Sequence, residues 1–111
     1  MSDDDEPRLR TGFWVQTQLR VCDLAAIPFV VLKRGDADAG AVLLRIDKGR
    51  SGILLLAREV GPDGKRHWQP ALGGGPVPAD EADGYIARQT ARDPDLWVID
   101  VDDPAGRYRP D

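Results

Sequence analysis

The chain has 111 residues, of which 41% are hydrophobic and 31% are charged, and its formal net charge is −4. This size and composition predict one globular domain with its own core, and the acidic balance disfavours general nucleic-acid binding, which depends on neutralising phosphates. A single cysteine excludes an internal disulfide, and no apolar run reaches the ~18 residues needed to cross a bilayer. With no signal-peptide pattern at the start, we expect a cytoplasmic protein that does not associate with membranes.

The two ends of the chain differ in composition from its middle. Residues 1–7 include the acidic run "DDDE" and lack large apolar residues after Met1, which predicts a disordered tail. Residues 8–103 are predicted to form a single α+β domain. Residues 104–111 are mostly polar and are predicted to form a loose C-terminal tail.

The segment "TGFWVQTQLRVCDLAA" predicts the first helix. Val15, Leu19, Cys22 and Ala26 are spaced by four, three and four residues, which places them on one face, and Trp14 widens that stripe. Thr11 is the predicted N-cap, because its hydroxyl can accept a hydrogen bond from a first-turn N–H.

Four runs rich in β-branched and large apolar residues follow and predict strands: "FVVLKR", "AVLLRI", "GILLLAREV" and "RHWQPAL". The short links between them consist of turn-forming residues, which favours antiparallel neighbours. Pro70 has no N–H to donate to a ladder, so we expect the fourth strand at a sheet edge or broken there.

A second helix is predicted from about Ala79 to Arg92, followed by the strand "LWVIDV", whose apolar residues on both alternations indicate burial on two sides. The element order is α-β-β-β-β-α-β. We predict a single antiparallel or mixed sheet of about five strands with both helices packed on one face. Asp100 is the acid expected to point inward, with Arg34 or Arg45 as its partner.

The segment "RGDADAG", from Arg34 to Gly40, allows several interpretations. An EF-hand loop fails, because its fifth ligand place is Gly40, which has no side-chain oxygen. A bend between strands agrees best with the Gly and Asp content. The alternative is a polar ligand-binding or catalytic pocket formed by Arg34, Asp36, Asp38 and Asp95.

The chain offers few groups for conventional catalysis. The two Cys/His side chains are Cys22, predicted to be buried, and His67, predicted to lie on the surface. A zinc site needs three or four such ligands, so we predict no metal site, no cofactor and no catalytic residue. Trp68 beside Arg66 is the side chain most typical of an interface anchor.

Three segments together carry a family resemblance: "RLRTGFWVQTQLR", "VVLKRGDADAGAVLLRI" and "YIARQTARDPDLWVIDVDD". With these segments the chain resembles an uncharacterised family of short bacterial proteins, one of the catalogued domains of unknown function, from about Arg8 to Arg107. The resemblance implies a stand-alone bacterial cytosolic domain. It implies no activity and no site residue.

These observations favour a non-catalytic binding or interaction module with an unknown protein partner, or a homodimer formed through a sheet edge or the Trp68 surface. The first alternative is an enzyme or small-molecule binder using the polar pocket described above. The second is weak nucleic-acid binding through the basic middle of the chain; its seven residues are Lys33, Arg34, Arg45, Lys48, Arg50, Lys65 and Arg66.

Overall fold

The structure is a computed structural model that describes residues 10–60 and 62–111. Its two helices and five strands follow the predicted order. They are α1 (Thr11–Leu24), β1 (Phe29–Lys33), β2 (Val42–Asp47), β3 (Ile53–Val60), β4 (Arg66–Pro70), α2 (Ala79–Arg92) and β5 (Trp97–Asp102). The tail predicted for residues 1–7 lies outside the described residues.

The five strands form one mixed sheet in the order β1-β5-β2-β3-β4. β5, the last strand along the chain, lies between the first two, antiparallel to β1 and parallel to β2. β2, β3 and β4 follow as antiparallel neighbours. β1 and β4 are therefore the two edges, and Pro70 ends the edge strand β4, as its missing N–H predicts.

The helices cover opposite faces of this sheet, so the prediction that both pack on one face is wrong. Alternate residues of β2 and β5 belong to two separate apolar clusters. Under α1 lie Val42, Leu44, Ile46, Trp97, Ile99 and Val101. Under α2 lie Leu43, Val98, Ile53, Leu55 and the helix residue Ala82. Because both alternations of the central strands are apolar, each face must be covered to remove it from water.

The buried stripe of α1 contains the predicted Trp14, Val15 and Cys22, but Leu19 and Ala26, also predicted on it, are exposed. Its buried residues are Trp14, Val15, Gln18 and Cys22, whereas Leu19 is 44% exposed. The large indole of Trp14 sets which side of the helix faces the sheet, because it has the most apolar area to bury.

The C-terminal segment packs against the domain, unlike the loose tail predicted for residues 104–111. Tyr108 is 5% exposed, and its hydroxyl donates to Gln18 Oε1 at 2.8 Å. The buried Asp103 carboxylate accepts hydrogen bonds from the backbone N–H groups of Arg107 and Tyr108. Tyr108 and Asp103 thus hold the C-terminal segment in place, although most residues of that segment are polar.

Candidate functional site

The "RGDADAG" loop meets the turn that precedes β5. The Asp36 N–H donates to the Asp95 carbonyl at 3.0 Å, and Trp97 Nε1 donates to the Asp36 carbonyl at 2.8 Å. A Cβ atom on Gly35 would overlap the Asp95 carbonyl oxygen and lie 2.6 Å from Trp97 Cδ1. A Cβ on Gly40 would also overlap the Asp95 carbonyl oxygen. Both glycines are therefore required by close backbone approach.

The same loop caps helix α1. Backbone carbonyls of Ala37 and Asp38 accept from the N–H groups of Gly12 and Thr11, at 2.8 and 3.3 Å. These donors belong to the first turn and have no partner within the helix. Thr11 is not the side-chain N-cap that was predicted, since the helix starts at Thr11 itself and its hydroxyl donates to the Gly40 carbonyl at 2.8 Å.

The four residues predicted to bind a ligand lie at this corner, but the charged groups of Arg34, Asp36 and Asp38 contact other parts of the chain. The Asp36 carboxylate accepts from its own turn, at Ala39 N, 2.8 Å away. Asp38, 74% exposed in its side chain, is 3.7 Å from Arg10. The Arg34 guanidinium lies 5.4 Å from the centroid of the Trp97 ring, and Asp95 is exposed. The corner is built as a joint between loop, helix and strand, and its ligand-binding role stays a prediction.

A second cluster surrounds Trp68, predicted to be an interface anchor. Its ring centroid lies 5.4 Å from that of Trp14, and the Arg58 guanidinium lies 5.0 Å from the Trp14 ring and 4.8 Å from the Trp68 ring. Trp68 is half-buried against the core under α1. Part of its ring surface is therefore covered by its own chain and cannot contact a partner. The Arg66 side chain lies outside the described part of the structure, and the interface role of this pair stays a prediction.

Arg45 joins helix α2 to the sheet. Its guanidinium donates to Asp83 on α2 at 2.9 Å and to Asp100 on β5 at 2.8 Å. The hydrogen bond to Asp83 is the main cause that raises the pKa of Arg45, with burial opposing it and Asp100 adding to it. The prediction that Asp100 points inward toward an arginine is confirmed, and the partner is Arg45.

Cys22 and His67 occupy unrelated places. The Cys22 thiol is fully buried under α1, where burial, followed by the charge of Asp103, raises its pKa. His67 is exposed on β4 and lies 3.0 Å from Asp63. Among residues 10–60 and 62–111, no group of three or more His, Cys, Asp or Glu side chains is placed to hold a metal ion.

The most distinctive surface feature is apolar and was not predicted. All the large hydrophobic side chains described as exposed fall between residues 13 and 32, on α1 and β1. They are Phe13, Leu19, Val21 and Leu24 on α1, which we call the α1 apolar surface, and Val30 and Leu32 on β1. Val30 pairs with Asp100, which faces α2, so its side chain lies on the opposite face of the sheet from α1. A shallow groove runs along the same side of α1, lined by Phe13, Gln16, Thr17, Leu19, Arg20 and Asp23. The signal in the sequence was that α1 has more apolar residues than one buried stripe can hold.

Neither described helix has the length and apolar character to span a membrane. The family model for a protein of unknown function, DUF1491, matches residues 9–109. None of the curated proteins matches the chain.

Solved structures of similar proteins agree with the fold. The crystal structure of a DUF1491 family protein from Caulobacter crescentus CB15 is 32% identical, with a TM-score of 0.80 over 90% of this chain and 92% of that one. An NMR structure of a DUF1491 family protein from the same organism gives 32% identity and a TM-score of 0.75 over 89% of each chain. Protein Atu0922 from A. tumefaciens, at 23% identity, shares the fold with a TM-score of 0.71 over 86% of each chain. The chain belongs to the DUF1491 family, whose function is unknown.

Proposed function

We propose that this protein is a non-catalytic interaction module that binds a protein partner through the α1 apolar surface. The observation that carries the proposal is the concentration of exposed apolar side chains there. Leu24 is 80% exposed and Phe13 is 59% exposed, on the same helix. Scattered exposed apolar residues are normal on a protein surface, whereas a group of four on one helix is typical of an interaction site.

The arrangement of reactive side chains supports the non-catalytic part of the proposal. A cysteine nucleophile needs an accessible thiolate beside a base. Cys22 is buried with a raised pKa, and His67 is exposed beside Asp63 on a strand at the sheet edge. The two groups are not arranged as nucleophile and base.

The distribution of basic side chains argues against the nucleic-acid alternative. Of the seven basic residues that would form the contact face, Arg45 is held between Asp83 and Asp100. Lys33 donates to the carbonyls of Pro94 and Leu96. Groups already bound to protein oxygens contribute little to neutralising phosphates.

The test is site-specific photo-crosslinking in native cells. A photoreactive amino acid is placed at Leu24, and in a matched control at Arg88, an exposed position of α2 on the other face of the sheet. We expect a discrete protein adduct from position 24 that is absent from position 88. Equal labelling at the two positions, or no adduct from position 24, would refute the proposal, and so would substrate turnover by the purified protein.

A further inference from the structure

Helix α2 buries little of its own surface against the sheet. Of its 14 residues, each of them described, only Ala82 is fully buried, and Tyr85 and Ile86 are partly buried beside it. Helix α1 has the same length and buries four residues, among them the large indole of Trp14. Because burial of apolar surface is the main force that holds a helix on a sheet, α2 is held much more weakly than α1.

One polar contact joins α2 to the sheet. Among the hydrogen bonds of residues 10–60 and 62–111, the bond from Arg45 Nε to Asp83 Oδ1 at 2.9 Å is the one that links α2 to another helix or strand. The Asp83 side chain is 57% exposed, so water screens this pair and it adds little stability. Helix α1, by contrast, is bound by the loop carbonyls at its first turn and by the Tyr108 hydroxyl at Gln18.

The chain is fixed to the sheet immediately before and after α2. Before the helix, Val77 exchanges two backbone hydrogen bonds of 2.8 Å with Ile53. After the helix, the carbonyls of Pro94 and Leu96 accept from Lys33 Nζ at 2.7 and 2.9 Å. The segment between these two attachments can therefore leave the sheet while the strands on either side of it keep their places.

Independently of the proposed interaction function, we propose that α2 is a cover that opens as a unit while α1, the sheet and the C-terminal segment stay folded. A free helix of this length is marginal in water, so α2 loses its helical hydrogen bonds when it opens. Opening uncovers Leu43 and Val98, which are 3% and 2% exposed in the closed state. The cluster under α1 keeps its own cover and remains as the core. The domain thus holds a second apolar surface that meets solvent only in the open state.

Hydrogen–deuterium exchange of the intact protein tests independent opening. After correction for intrinsic rates, we expect the amides of α2 to exchange about 100-fold faster than those of α1, because fewer buried apolar side chains must be exposed. Asp83→Asn removes the ion pair with Arg45 and should speed exchange of α2 alone by about threefold to fivefold. Asp80→Asn is the matched control, since that carboxylate contacts the neighbouring Glu81 N–H, and it should leave both helices unchanged. Equal exchange in the two helices, or equal acceleration of both by Asp83→Asn, would overturn the proposal.

Thiol labelling provides a second measurement, with the native Cys22 as a reference in the same molecule. Val98→Cys places a thiol beneath α2, whereas Cys22 is fully buried under α1. With each rate normalised to that of the denatured protein, we expect the thiol at position 98 to react about 100-fold faster than Cys22. Equal rates would mean that α2 opens only when the whole domain unfolds, which contradicts the proposal. The crosslinking test at Leu24 uses the other face of the sheet, so its result is independent of this one.

Discussion

Replacing Gly35 with alanine tests the joint between the "RGDADAG" loop and the turn before β5. The new methyl carbon would overlap the Asp95 carbonyl oxygen and lie 2.6 Å from Trp97 Cδ1 and 2.7 Å from the Leu96 carbonyl carbon. Ordinary van der Waals contacts of a Cβ begin at 3.4 Å, so the turn must move by most of an ångström. Overpacking costs about 1–3 kcal/mol and one weakened hydrogen bond about 1 kcal/mol, which predicts a total loss of about 2–4 kcal/mol.

Chemical and thermal denaturation measure this loss. For a domain of this size about 1 kcal/mol shifts Tm by about 4 °C or more, so Gly35→Ala is expected to lower Tm by about 8 °C or more. Gly74→Ala is the matched control, because a Cβ at Gly74 meets no atom within 4 Å, and its stability should stay within about 1 kcal/mol of wild type. If Gly35→Ala unfolds at the same denaturant concentration as wild type, the close approach is not what holds this corner together.

Three further outcomes follow from buried polar groups. Burial acts to raise the pKa of Asp103, but backbone N–H groups of Tyr108 and Arg107 lower it below its usual value. A depressed folded-state pKa gives stability that is complete above the ordinary carboxyl pKa of about 3.9 and is lost as pH falls through the folded-state value. Acid unfolding followed by fluorescence should therefore be less steep in Asp103→Asn, and an unchanged profile would contradict this. Tyr108→Phe removes the donor to the buried Gln18 oxygen and should cost about 1–3 kcal/mol in urea denaturation; an unchanged midpoint would argue against it. Cys22, buried with a raised pKa, should be alkylated far more slowly in native buffer than in denaturant, and equal rates would show that the thiol is accessible.

The elements of the fold were predictable because each is encoded locally. The helix over α2 and the strands carry their own periodicity and turn residues, so their order follows from short windows of sequence. The placement of the helices on opposite faces depends on β5 entering between β1 and β2, a pairing between residues more than fifty positions apart. The sequence did contain a signal for this placement: the side chains of "LWVIDV" are apolar on both sides of the strand, so both faces of the sheet must be covered by other elements.

The sequence predicted that the candidate site is a turn, but it did not predict which parts of the chain this turn contacts. Gly and Asp in "RGDADAG" indicate a bend, whereas contact with the Asp95 carbonyl and capping of α1 come from tertiary packing. The exposed side chains of α1 were missed because helical spacing fits several overlapping stripes. Placing Leu19 on the buried stripe is one such error; the helix orientation is set by Trp14 against Trp68 and Arg58.

The position of β5 also determines when folding can finish during synthesis. A nascent chain that has emerged from the ribosome only as far as Leu96 contains β1 and β2 but not β5, the strand that lies between them and pairs with both. Until residues 97–102 emerge, the apolar side chains of β1 and β2 that pack beside β5 remain exposed to water. Translation adds about 5–20 residues per second. Truncation before Trp97 is therefore expected to leave the sheet in two parts, β1 alone and the antiparallel unit β2-β3-β4.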